Sequence, residues 1–155
     1  MIERIISGGQ TGADRAALNV AIQLGIPHGG WCPRGRRAED GRIPDHYQLQ
    51  ETRDDGYLVR TKRNVESSDG TIIFVDRMTA GSARTRDYCR QIRKPFVIIA
   101  NTTSRGEYGR ARLIAWLHLA QPRILNVAGS RESRAPGIAS AVHSLLYHVL
   151  QVIQP

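Results

Sequence analysis

Residues 5–14 read Ile-Ile-Ser-Gly-Gly-Gln-Thr-Gly-Ala-Asp, and their order carries chemistry. A short apolar run ends at a Gly-Gly turn and a helical pattern starts at once. That succession aims backbone N–H groups and the positive end of a helix dipole at one point, where anions, phosphates above all, are stabilised. The loop is neither a G-x-G-x-x-G fingerprint nor a P-loop, since no Gly-Lys-Ser/Thr follows. It is a Gly-Gly-x-x-Gly variant in which Ser7, Gln10 and Thr11 add side-chain donors to Gly8, Gly9 and Gly12. Asp14 falls in the first helical turn. It either complements the dipole or acts as a ribose or pterin contact or a general base.

Three further stretches bring reactive types together. Residues 29–41 hold Trp31, Arg34, Arg36, Glu39 and Asp40 among glycines. Trp31 either plugs the core or stacks on a flat ring, and Arg34 and Arg36 can neutralise a phosphate. Glu39 and Asp40 either bind a metal, serve as acid or base, or simply pair with those arginines. Gly81-Ser82 opens a helix with Thr85 one turn on, a second anion site or an ordinary Ser82 N-cap. Gly129-Ser130-Arg131-Glu132-Ser133 offers Arg131 to a phosphate and Glu132 to a ribose hydroxyl or a metal, although Ser130 or Ser133 alone can cap the following helix. The five histidines form no ligand spacing, no catalytic triad is visible, and no metal site is expected.

These residues need elements to position them. The hydrophobic pattern predicts strands near 3–6, 26–29, 71–75, 96–100 and 124–128. Helices are expected over about 11–24, 56–67, 81–93, 109–120 and from about 136 onward, with an irregular stretch over 30–52. Alternation of this kind implies an α/β fold with a mostly parallel sheet of about five or more strands and helices on both faces. The loops after the strands carry the glycines and polar groups, including 76–82 and 101–106. In open α/β sheets ligands bind at that carboxyl edge.

The bulk properties narrow the class. A chain of 155 residues suffices for one domain, and no apolar run is long enough for a membrane span. No secretory signal is visible, and Cys32 and Cys89 lie in no metal spacing, which points to a cytoplasmic protein with free thiols. The net charge of +8 raises nucleic acid as a partner, but the basic residues are dispersed and only Trp31 among few aromatics lies suitably, which disfavours it. Of 22 basic residues only Lys62 and Lys94 are lysine, and some of the arginines are expected to clamp phosphate bidentately.

The blocks at 6–15 (Ile-Ser-Gly-Gly-Gln-Thr-Gly-Ala-Asp-Arg), 25–41 (Gly-Ile-Pro-His-Gly-Gly-Trp-Cys-Pro-Arg-Gly-Arg-Arg-Ala-Glu-Asp-Gly), 60–65 (Arg-Thr-Lys-Arg-Asn-Val) and 125–133 (Leu-Asn-Val-Ala-Gly-Ser-Arg-Glu-Ser) together resemble the putative molybdenum carrier family. The resemblance implies a single Rossmann-like domain over 1–155, related to cytokinin-activating phosphoribohydrolases and a DNA-processing protein. It also implies molybdenum cofactor, a phosphorylated pterin, as ligand, and self-association into a homo-oligomer. The hydrolase relatives carry Pro-Gly-Gly-x-Gly-Thr-x-x-Glu. Here residues 78–85 read Met-Thr-Ala-Gly-Ser-Ala-Arg-Thr, without the glutamate. Phosphoribohydrolase chemistry would therefore need Glu39, Asp40 or Glu132 in its place.

The reading that results is a binder of a phosphorylated heterocycle, molybdenum cofactor or a nucleotide, with a hydrolase of nucleotide-derived substrates as the alternative. The expected ligand contacts are Ser7, Gly8, Gly9, Gln10, Thr11, Gly12, Trp31, Arg34, Gly81, Ser82, Gly129, Arg131 and Glu132. The candidate catalytic carboxylates are Asp14, Glu39, Asp40 and Glu132. No membrane partner is expected.

Overall fold

The computed structural model describes residues 1–54, 56–104 and 106–154. In chain order the elements are β1 (Arg4–Ile6), α1 (Ala13–Leu24), β2 (His28–Gly29), β3 (Trp31–Cys32), β4 (Arg37–Ala38), β5 (Gly41–Arg42) and β6 (Gln50–Glu51), then α2 (Tyr57–Glu66), β7 (Gly70–Phe74), α3 (Ala80–Gln91), β8 (Phe96–Ile99), α4 (Gly106–Ala120), β9 (Ile124–Gly129) and α5 (Ile138–Ile153). Five strands form one sheet in the order β2-β1-β9-β7-β8, every neighbouring pair parallel. Registers such as Ile5 opposite Leu125 and Ile72 opposite Val127 align the carboxyl ends of β1, β9 and β7. The fold is Rossmann-like α/β, as the alternating pattern requires.

Strand side chains alternate between faces. Ile5, Ile72, Phe74, Val97, Ile99, Leu125 and Val127 pack with α1, α4 and α5 in the main core. Helix α1 fits closely because its buried stripe is small: Ala13, Ala16, Ala17, Val20 and Ala21. It ends at Gly25, whose left-handed φ of 68° closes the last turn. Helices α2 and α3 pack on each other, with α3 against β7 and β9. On that side Asn126 Nδ2 donates to Thr71 Oγ1 at 3.2 Å. The helices that follow β1 and β9 thus cover one face and α3, which follows β7, covers the other. Where their loops part, a crevice opens at the carboxyl edge.

The stretch 30–52 is not irregular throughout. Strand β3 pairs in parallel with β6, and β4 with β5 as a small hairpin. Cys32, Ile43 and Tyr47 close a second core with Leu18. Arg36 organises it. Buried at 7% exposure and held at φ 54°, its guanidinium donates to the carbonyls of Ile43, Pro44 and Tyr47 at 2.7–3.1 Å. Five guanidinium N–H donors in a planar fork let one arginine satisfy several turn carbonyls, which no sequence pattern in this loop announces. Cys32 and Cys89 are buried and unbridged. No described helix is long and apolar enough to cross a membrane.

Candidate functional site

A cleft of about 500 Å³ lies in the crevice at the carboxyl ends of β1, β9 and β7. Gly8, Gln10 and Asp14 come to it from β1 and the first turn of α1, Gly129 and Arg131 from the end of β9, and Gly81 and Ser82 from the start of α3. Its remaining wall is α2, through Tyr57, Arg60 and Asn64. These positions share one helical face at spacings of three and four residues.

Four guanidinium groups line the cleft, those of Arg60, Arg84, Arg131 and Arg134, against one carboxylate, that of Asp14. Among the described residues no carboxylate forms a salt bridge with Arg84, Arg131 or Arg134, although the Arg131 charge helps to hold the Glu39 carboxyl low. Asp14 is 5% exposed. Its Oδ2 accepts from Arg60 Nη1 at 2.9 Å and from the Gln10 amide at 3.3 Å. Burial pushes the Asp14 carboxyl above its ordinary value, against the opposing pull of the Arg60 guanidinium and the loop amides. A Cβ at Gly8 would sit 1.5 Å from Arg60 Nη1, so a side chain there would displace the guanidinium from its place beside Asp14. Two guanidiniums approach the Tyr57 ring, Arg60 at 5.4 Å and Arg131 at 5.6 Å from its centroid. The ring presents an aromatic, half-exposed surface at the mouth.

At α3, Thr79 is the N-cap: its hydroxyl oxygen accepts from the Ser82 amide at 3.2 Å. The cap expected of Ser82 is thus provided by Thr79. The first-turn N–H groups of Ala80 and Gly81 have no intrahelical partner, and both residues line the cleft.

Several residues expected at the ligand do not line this cleft. Ser7 is fully buried and donates to the Asp14 carbonyl at 2.9 Å. Gly9 faces the second core, where a Cβ would meet Leu49 at 2.5 Å. At the start of α1, the Ala13 amide donates to the Ser130 carbonyl at 3.1 Å, and a Cβ on Gly12 would sit 2.3 Å from that same oxygen. The chain's own β9–α5 loop therefore occupies this helix terminus. Thr11 accepts from the Glu132 amide at 3.2 Å and donates to Glu39. Glu132 caps α5, accepting from Gly137 and Ala139 at 2.8 and 3.0 Å. Glu39 accepts from Thr11 and Ser133, and Asp40 pairs with Arg15. Burial alone would raise the Glu39 carboxyl, but the Ser133 and Thr11 hydroxyls and the Ser133 amide hold it below its ordinary value. Arg15 does the same for Asp40. Trp31 is tied to α2 by two bonds with Asn64, 2.8 and 2.9 Å, and carries Arg63 over its ring at 5.3 Å. Neither Trp31 nor Arg34 lines the cleft. Of the four candidate carboxylates, Asp14 alone does so among the described residues.

Sequence reasoning assigned no role to Tyr57, Arg60, Arg84 or Arg134. The signal for the first two was the spacing of Tyr57, Arg60 and Asn64 on one side of a helix too polar to be core.

Comparison with known proteins fits this architecture. A family model described as the circularly permutated YpsA SLOG family matches residues 5–150. The chain belongs to that family. It is also similar to a crystal structure of a putative molybdenum carrier protein from Syntrophus aciditrophicus SB, with 44% identity and a TM-score of 0.91 over 96% of this chain and 95% of that one. The resemblance drawn from the four sequence blocks is thereby borne out. Among curated proteins no relative matches.

Proposed function

We propose that this family member binds a phosphorylated heterocyclic small molecule, molybdenum cofactor or a nucleotide, and acts as its carrier. The observation that carries the reading is the convergence of four arginines and the first turn of α3 on one cleft of about 500 Å³, a volume suited to a single nucleotide-sized ligand. Arg131 and Arg84 supply charge-assisted bonds to phosphate. Tyr57 replaces Trp31 as the aromatic surface beside a flat ring. The name of the similar protein from Syntrophus aciditrophicus SB supports molybdenum cofactor as the candidate ligand.

The test is calorimetry with a panel of nucleoside monophosphates, joined to native mass spectrometry of protein purified from its own source. A retained phosphorylated compound is expected. Replacing Arg131→Ala should weaken it about 10- to 100-fold, the equivalent of losing one charge-assisted bond of about 1.5–3 kcal/mol. Failure of the parent to bind any phosphorylated heterocycle overturns the reading. The alternative, hydrolysis of a nucleotide-derived substrate, draws support from Asp14, the carboxylate in the cleft. Product formation by the parent from nucleoside monophosphates or ADP-ribose, abolished in Asp14→Asn, would favour it.

A further inference from the structure

Buried donors without acceptors are rare, because each forfeits a hydrogen bond it would keep in water. Among the described residues two buried side-chain atoms lack a partner, Gln10 Nε2 and Arg60 Nε. Both residues line the cleft.

Their orientations are fixed by other contacts. Gln10 is 6% exposed, and its Oε1 accepts from the Thr11 amide at 3.1 Å and the Glu39 amide at 2.9 Å. Turning the side-chain amide over would set NH₂ against two N–H donors, so Nε2 is the donor left unpaired. Arg60 is held through Nη1 by Asp14 and lies over Gly8, and its Nε–H is buried without a partner. The open first-turn amides of α3 belong to the same cleft. Every unfilled group here is an N–H donor, on a wall of net positive charge. The complementary partner is an acceptor-only group carrying negative charge.

We propose that Gln10 Nε2 and Arg60 Nε form a tetrahedral-oxyanion pocket in the wall of the cleft, with Asp14 as the positioning residue that holds Arg60. This rests on the anion-binding reading of the cleft given above and assigns the groups that grip the anion. The same chemistry fits the phosphate of an ester or a free oxyanion such as inorganic phosphate or molybdate.

Two variants isolate the donors. Gln10→Glu keeps the shape and the acceptor oxygen for Thr11 and Glu39 but replaces the unpaired donor by oxygen. Arg60→Lys keeps the charge but removes the Nε donor. Calorimetry at fixed ionic strength with inorganic phosphate, molybdate and GMP is the measurement, with melting curves to confirm folding and Arg34→Ala as a control outside the cleft. Expected is at least a tenfold loss in both variants for whichever of these the parent binds, and no more than a twofold change in the control. Loss for inorganic oxyanions, with no GMP binding by the parent, supports the pocket and counts against the nucleotide arm of the carrier reading. Parent-like affinity in either folded variant overturns the pocket while leaving the carrier reading intact. Should Arg60→Lys fail to fold, Gln10→Glu decides alone. No binding of any of the three by the parent overturns the pocket.

Discussion

Helices α1 and α3 both begin just past the carboxyl end of a parallel strand, and both begin beside glycine, yet the chain's own loop takes the leading amide of α1 and leaves those of Ala80 and Gly81 in α3 to the cleft. At α1 the Ala13 amide is taken by the Ser130 carbonyl, and the turn before it is knitted to Glu132, Glu39 and Ser133. At α3 the cap is local, from Thr79 to Ser82, and Ala80 and Gly81 face the cavity. The two termini carry the same dipole. They differ in whether the chain's own loop has already used it. A strand–glycine–helix junction therefore marks where an anion can be stabilised, and tertiary packing decides whether a ligand or the protein fills the place.

Glycine substitutions break this comparison most sharply. Gly12 holds φ 81° with the Ser130 oxygen 2.3 Å from any Cβ, and backbone is the obstacle. Gly12→Ala should cost roughly 3 kcal/mol or more, from a strained left-handed conformation added to a clash with a carbonyl that cannot swing aside. Urea denaturation measures it. A near-neutral Gly12→Ala would mean that the β9–α5 loop is not seated on α1. At Gly81 the nearest atom to a Cβ is Thr79 Oγ1 at 4.0 Å, and the backbone is helical. Gly81→Ala should leave stability unchanged or raise it by about 0.5 kcal/mol, since alanine loses less backbone entropy in a helix. A large loss there would place α3 under the same packing constraint as α1 and erase the contrast.

The sheet was legible because β7 is a run of Gly-Thr-Ile-Ile-Phe buried throughout, and because Pro27 and Pro95 punctuate the far edge of the sheet. The collection of loops at the carboxyl edge was legible for the same reason: parallel strands leave their turns on one side. The partners within that edge were not. Glu39, Asp40 and Glu132 read as well as Asp14 did for a catalytic carboxylate. What separates them is that three meet hydroxyls, amides or an arginine outside the cleft, contacts spanning 5 to 94 residues. Arg60 was hidden differently. It belongs to a polar helix whose inner face is defined by a cavity rather than by a core, so hydrophobic periodicity had nothing to register. Trp31 shows the converse: an aromatic in a glycine-rich loop drew a ligand role, while its backbone is in fact committed to Asn64.

The smallest effect concerns acid, and its sign separates the junction from the cleft. Glu39 and Asp40 have carboxyls held below their ordinary values, so their contribution to stability is present at neutral pH and is lost as pH falls through those lowered values. Asp14 runs the other way. Its carboxyl is raised by burial, so the folded state binds that proton more tightly than the unfolded chain; the stability this gives is fully present below the ordinary carboxylate value and is lost as pH rises through the raised one. The double variant Glu39→Gln with Asp40→Asn should therefore flatten the acid limb of a stability profile followed downward from about pH 5, where ordinary carboxylates begin to take up protons, through the lowered values. The size is small because the Asp40 side chain is 49% exposed and its pair with Arg15 is screened by solvent. An unaltered acid limb would mean that these two carboxylates do not fasten the β4–β5 hairpin to the start of α1. The contrast between the two helix termini would then rest on the Ser130 carbonyl alone.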